Sequence, residues 1–116
     1  LAGQKNRAEL DVIVERCLTR AALWDEVKDR LDSLGSMLSG GQRQRLLLAI
    51  ALINDPELIL ADEPSGNLDT ENKQELHKLF MTLRDRFQKT LVIVTHDRSL
   101  AEMADRIVTM KDGRII

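Results

Sequence analysis

Leu58-Ile59-Leu60-Ala61 runs straight into Asp62-Glu63-Pro64, a short apolar stretch that stops abruptly at two acids and a proline. An apolar run without polar alternation reads as a strand covered on both faces, the pattern of a parallel sheet. Leu91-Val92-Ile93-Val94 repeats it and ends in Thr95-His96-Asp97. Between them, Leu76, Leu79, Phe80, Leu83 and Phe87 recur at helical spacing, which predicts an amphipathic helix from about Thr70. Leu100, Met103 and Ala104 predict a short helix, and Arg106 to Met110 a third strand. Lys111-Asp112-Gly113 predicts a hairpin turn into Arg114-Ile115-Ile116. Strand, helix, strand, helix, strand implies right-handed parallel crossovers, hence an α/β core.

Upstream, Leu38-Ser39-Gly40-Gly41-Gln42 precedes a helix running to Ile53. Its second half, Leu46 to Ile53, is so apolar that burial on most sides is expected, and Asn54-Asp55-Pro56 ends it. Leu10, Ile13, Val14, Cys17, Leu18 and Ala21 predict an earlier helix with one apolar face. Trp24, Val27 and Leu31 predict a second short one, ending near Ser33 to Ser36, where Gly35 interrupts. Residues 1–37 therefore read as a helical layer and 38–116 as the α/β part. Half of such a sheet is expected to leave an unpaired edge and exposed apolar surface.

The 116 residues are 43% hydrophobic and 31% charged, the composition of one soluble globular unit with one modest core. A net charge of −2, with both signs interspersed, offers no cationic field for nucleic acid or anionic lipid. Neither is an expected partner. The single cysteine, Cys17, excludes an intrachain disulfide, argues against structural zinc and fits the reducing cytoplasm. The longest apolar run, Leu46 to Ile53, is far short of the roughly 20 residues needed to cross a bilayer. The start shows no secretory pattern. No direct membrane insertion is expected, so any membrane link goes through another subunit.

In open parallel sheets, ligands bind beyond the carboxyl ends of the strands. There the sequence puts Asp62 and Glu63 after one strand and His96 after another. Asp62 is suited to hold Mg²⁺, directly or through water, because a hard cation takes carboxylate oxygen. Glu63 is suited to orient and polarise a water for in-line attack on a γ-phosphate, and His96 to hydrogen-bond that phosphate or water. Each feature alone also reads blandly: the acids as a solvated loop, the imidazole as an ordinary core or surface histidine. Ser39 is suited to cap the following helix. Gly40 and Gly41 leave amides uncovered at its positive end, an arrangement that favours an anionic phosphate. In isolation, two glycines there read as a plain turn.

Taken together, these segments resemble the nucleotide-binding domain of ABC-type (ATP-binding cassette) ATPases. Leu38 to Gln42 is similar to that family's signature sequence, and Leu58 to Glu63 to its Walker B strand with catalytic glutamate. Gly66-Asn67-Leu68-Asp69 resembles the D-loop and His96 the switch histidine. The resemblance covers residues 38–116, in the family's order and spacing. It implies the C-terminal half of a P-loop NTPase-type α/β core, with residues 1–37 as part of a helical subdomain. Ser39, Gly40 and Gly41, helped by Gln42, would meet the γ-phosphate of ATP bound to the opposite subunit of a head-to-tail dimer. Asp62 would serve Mg²⁺, Glu63 the attacking water, Asp69 communication across the interface, and His96 γ-phosphate sensing. Transmembrane permease subunits would be further partners, with the domain at the inner face of the cell membrane.

Subgroup clues diverge. Ser65 to Asp69, Thr95-His96-Asp97, Ala104 to Val108 and Asp112 to Ile115 look like the lipoprotein-releasing, macrolide-efflux and cell-division exporters. Arg20 to Leu31 resembles the helical subdomain of phosphate-importer ATPases. Ile50 stands where the family commonly has arginine. The 116 residues contain no Gly-x-x-x-x-Gly-Lys-Ser/Thr and no recognisable glutamine loop, so by itself the chain is expected neither to bind ATP tightly nor to hydrolyse it. A non-transport ABC ATPase is a second reading. It is ranked lower because His96 follows Glu63 by only 33 positions, with no sustained heptads. A third is a non-catalytic module donating its signature face to a complete partner.

Overall fold

The computed structural model describes residues 6–31 and 38–116. Helix α1 (Arg7–Arg20) starts at Asn6, whose side chain accepts the Glu9 amide, the usual way an orphan N–H is satisfied at a helix start. It ends with Ala22 in the left-handed region, φ 54°, so that the Leu23 amide returns to the Leu18 carbonyl at 2.8 Å and the Ala22 amide to Thr19. That is a Schellman closure made without glycine. Helix α2 (Trp24–Val27) follows, then one 3-10 turn over Lys28–Arg30. The expected end of this helix near Ser33 to Ser36 lies outside the described residues.

Helix α3 (Gly40–Ala51) starts two residues before the expected span of Gln42 to Ile53 and ends two before its close, and at its start Ser39 and Gln42 form a full capping box. Strand β1 (Leu58–Asp62) pairs in parallel with β2 (Thr90–Val94), Leu58 opposite Thr90 through Asp62 opposite Val94. Helix α4 (Thr70–Phe87) is the crossover between them and is capped by Asp69. After β2 come a short α5 (Arg98–Glu102) and a hairpin of β3 (Met110–Lys111) and β4 (Arg114–Ile115). The hairpin turn uses Asp112 and Gly113, both at positive φ, 51° and 76°, as a two-residue turn matched to strand twist requires.

The core is layered: α1 and α2 on α3, α3 on α4, and α4 on one face of β1–β2. Leu23, Leu52 and Leu83, one from each of the inner layers, are its most completely enclosed large side chains. Leu76, Leu79 and Phe80 line the apolar stripe of α4, as the periodicity predicted.

Four expectations are corrected. Residues 106–109 form no strand, and Met110–Lys111 pairs antiparallel with β4 instead of extending the parallel sheet. The Asp112-Gly113 turn satisfies those backbone groups locally, which a crossover to a distant edge does not. The strands are not covered on both faces: Ile59 is buried and Leu91 and Ile93 pack on the core, but Leu60 is 72% and Val94 61% exposed. Alternation along a strand sends every second side chain to the face opposite α4, and no described element lies there. The same holds for α3, whose Leu47 and Ile50 are exposed. On α1, only the second half of the expected stripe is covered, since Leu10 and Val14 remain exposed.

Candidate functional site

Asp62 is the last residue of β1 and is exposed. The backbone then bends at Glu63, which adopts φ 45°, a conformation that side-chain-bearing residues adopt rarely. The Glu63 amide donates to the Val94 carbonyl at 2.8 Å, so the sheet ladder holds the bend in place. Its Oε1 atom is buried without a hydrogen-bond partner among the described residues, and the Nε2 atom of the fully exposed His96 stands 3.6 Å from it. A buried carboxylate oxygen with nothing donating to it is costly. It is therefore an acceptor poised for a proton donor such as water. Parallel pairing of β1 and β2 brings Asp62, Glu63 and His96 to one sheet end, although Glu63 and His96 are 33 positions apart in sequence.

The loop bearing His96 is braced from both sides. The Asp97 amide donates to Thr95 Oγ1 at 2.9 Å. Its carboxylate accepts from the Ser99 hydroxyl and amide and from the Leu100 amide, and meets Lys73 Nζ of α4 at 3.3 Å. The Ser99 hydroxyl above all, with Lys73 and the two amides, holds the Asp97 carboxyl down at about 2. It therefore remains an anionic cap for α5 throughout the neutral range.

The second constellation surrounds the start of α3. Ser39 and Gly40 are exposed, Gln42 is half-buried and Gly41 is buried. A Cβ on Gly40 would meet Leu68 Cδ2 at 3.6 Å, an ordinary contact, whereas one on Gly41 would run into the Asn72 side chain, 2.7 Å from Cγ. Ser39 to Gln42 thus lies against Gly66 to Asp69 and the first turn of α4. Both ends of the Gln42 amide are engaged: Oε1 accepts from the Ser39 amide at 3.0 Å and Nε2 donates to Glu26 Oε1 at 3.2 Å. Asp69 is engaged as well, accepting the Asn72 amide at 2.9 Å.

The model of the family described as ABC transporter matches residues 2–66, more than half of the chain. The chain belongs to the ABC transporter family. Within it, the chain is 57% identical over 90 residues to a lipoprotein-releasing system ATP-binding protein LolD of Bacteroides fragilis, covering 78% of this chain and 42% of that protein. It is 46% identical over 113 residues to a phosphate import ATP-binding protein PstB of Pyrobaculum aerophilum, covering 97% and 44%. Both subgroups read from the sequence are thus among its relatives. The fold matches the dimeric ATP-binding cassette MJ0796 in a post-hydrolysis state with ADP and Pi, at a TM-score of 0.80 and 35% identity, over 99% of this chain and 48% of that one. The chain spans less than half the length of each of these relatives.

Other residues of this ABC family member escaped the sequence reading. Arg45, a buried cation in an apolar helix, binds Glu26 through two nitrogens and the Ala22 carbonyl at 2.8 Å. The charge among leucines was the available signal. Asp55 joins Arg20 at 2.8 Å and the buried Lys89 at 2.6 Å, and these two cations, Lys89 first, lower its carboxyl pKa. Ser65 Oγ and His77 Nε2 share a buried hydrogen bond of 3.0 Å that ties the segment after Glu63 to α4.

Burial lowers the His77 pKa below its ordinary value, Lys73 adding to this and Asp97 opposing it. The unfolded chain therefore takes up this proton first as the pH falls. The stability contributed by neutral His77 is complete above about 6.5 and is lost as the pH drops towards the lower, folded value. His77→Gln keeps a polar partner for Ser65 and is expected to flatten the fall in urea midpoint between about pH 7.5 and about pH 5.5. An unchanged slope would refute the assignment.

Proposed function

We propose that this segment is the signature- and Walker B-bearing half of an ATP-hydrolysing cassette that drives transport across a membrane. The observation that carries the reading is the buried, donor-less Glu63 Oε1 beside His96 at the carboxyl end of a parallel sheet. Such an oxygen accepts a proton from a water held there and turns it towards a γ-phosphate, a reaction that depends mainly on positioning and charge. His96, fully exposed 3.6 Å away, is placed to hydrogen-bond the same phosphate.

Residues 1–37 then belong to the helical subdomain and 38–116 to the α/β core. The nucleotide is ATP with Mg²⁺. Among the described residues no group of three carboxylate, histidine or cysteine ligands is present, and Asp62 is one exposed carboxylate at a strand end. This donor set suits a cation that keeps waters and phosphate oxygens as most of its ligands, as Mg²⁺ does. Asp62 would hold it, directly or through water, and the bound cation would supply charge neutralisation at the phosphates.

Ser39, Gly40 and Gly41 reach the γ-phosphate held by a second cassette in a head-to-tail dimer. Ser39 and Gly40 are exposed at the positive end of α3, a place that favours an anion, and this supports that role. Asp69 lies on the same surface and takes part in contact across the dimer. The membrane partner is a permease, with the cassette on its cytoplasmic side. No described helix is long and apolar enough to cross a membrane.

The test is ATP turnover by the purified chain, alone and mixed with a P-loop-bearing half. No turnover is expected alone, because the 116 residues supply no P-loop lysine or amides, and turnover is expected on mixing. Turnover by the chain alone that Glu63→Gln abolishes would overturn the first expectation. A mixture that stays inactive, although the halves associate, would overturn the assignment of these residues to a catalytic half.

A further inference from the structure

Glu26 belongs to α2, in the helical layer, yet its carboxylate reaches the start of α3. Oε1 accepts from Gln42 Nε2 at 3.2 Å and from Arg45 Nη2 at 3.0 Å, and Oε2 accepts from Arg45 Nη1 at 2.5 Å. The two-nitrogen contact with a guanidinium sets an angle as well as a distance. Arg45 also donates to the Ala22 carbonyl at 2.8 Å and the Gly41 carbonyl at 3.4 Å. Gln42, through its other end, holds the Ser39 amide. One acid therefore secures both residues that shape the Ser39 to Gly41 turn, from a different layer of the molecule.

We propose that Glu26 is a positioning residue: through Gln42 and Arg45 it fixes the orientation of Ser39, Gly40 and Gly41, and it couples the placement of α2 to that of the phosphate-facing turn. The inference rests on the reading in which this turn meets a phosphate across a cassette dimer. Gln42 then serves the turn from behind, since both ends of its amide are spent within the chain.

The capping box by itself satisfies the Ser39 and Gln42 amides, so loss of Glu26 does not unmake the helix start. Arg45 keeps the Ala22 and Gly41 carbonyls as acceptors but loses the carboxylate that neutralises it, so some fall in melting temperature accompanies Glu26→Ala. What disappears is the outer anchor of Gln42 and the angular hold on Arg45.

The experiment uses a full cassette containing this segment, assayed for ATPase kinetics, nucleotide affinity and melting temperature. Glu26→Ala is expected to lower kcat about tenfold, since small misplacements of positioning groups carry such losses. KM for ATP should stay within about twofold of the parent, because the nucleotide's own binding groups are untouched. Glu26→Gln keeps an acceptor for Gln42 but loses the two-nitrogen hold on Arg45, and is expected to recover part of the rate. Unchanged kcat in Glu26→Ala would overturn the proposal. So would equal losses in both variants accompanied by a fall in melting temperature, which would mark a role in folding alone. Glu63→Gln is run in parallel: if it leaves turnover intact, the functional reading itself has failed, whereas normal loss there with normal turnover in Glu26→Ala defeats only the positioning role.

Discussion

Glu63→Gln, in a cassette that contains this segment, is expected to lower ATP turnover by about 10²–10⁴-fold, the range associated with loss of a positioned proton acceptor. The amide has the same shape, so the positive-φ bend and the bond from the Glu63 amide to Val94 are kept. Only the basicity of Oε1 and its negative charge are lost. The site then still admits nucleotide, and ATP affinity is expected to be undiminished or improved, because a carboxylate beside a triphosphate is repulsive until it accepts a proton. Phosphate release under single-turnover conditions, with nucleotide affinity measured separately, checks both statements. Turnover within about twofold of the parent would remove Glu63 from the chemistry. His96→Ala then supplies a second constraint, because its ring stands 3.6 Å from the same oxygen.

The second large effect separates two adjacent glycines. Gly41→Ala is expected to cost about 1–3 kcal/mol of stability through overpacking, and turnover about 10²-fold through displacement of the turn. The cause lies within the chain: a Cβ there would stand 2.7 Å from Asn72 Cγ and 3.2 Å from Asn72 Cβ. Gly40→Ala meets only Leu68 Cδ2 at 3.6 Å and replaces glycine in the first turn of a helix, so folding should be unimpaired. A loss of turnover in Gly40→Ala therefore reports the space a ligand needs, whereas in Gly41→Ala it reports packing as well. Asn72→Ala removes the clashes with Oδ1 and Cγ, leaving the Cβ contact at 3.2 Å, and should restore part of the Gly41→Ala stability. Thermal unfolding of the two single variants and the double variant decides this. Equal destabilisation at Gly40 and Gly41 would contradict the geometry. A carboxylate in Gly41→Asp adds repulsion of a phosphate to the same clash, so that variant alone does not isolate the electrostatic role.

Several elements were readable from local chemistry. Asp112-Gly113 predicts its turn because few other dipeptides accept two consecutive positive φ angles. Ser39 predicts a helix start, and the Gln42 side chain completes the cap three residues on. The stripe of Leu76, Leu79, Phe80 and Leu83 predicts the buried face of α4. The run 106–110 misled, because an apolar stretch records a tendency to pair but not the partner. Met110 and Lys111 found theirs across a two-residue turn. Burial was misjudged for a related reason. Leu60 and Val94 are apolar, but hydrophobicity states what a side chain would bury against, not whether a covering layer lies within these residues.

The sequence alone determined which atoms are available and, to within a few residues, where the longer helices and the hairpin turn lie, since caps, periodicity and turn residues act over a few positions. It also placed acids and an imidazole at the ends of two strands. Only the tertiary structure decided that Glu63 Oε1 is buried without a donor beside His96, that Gln42 is held at both ends, and that Glu26 and Arg45 bind α2 to α3. Apart from the Ser39 end of Gln42, those facts depend on contacts between residues 16 to 33 positions apart. They are set by how layers pack and strands align, and no local pattern of residues encodes them.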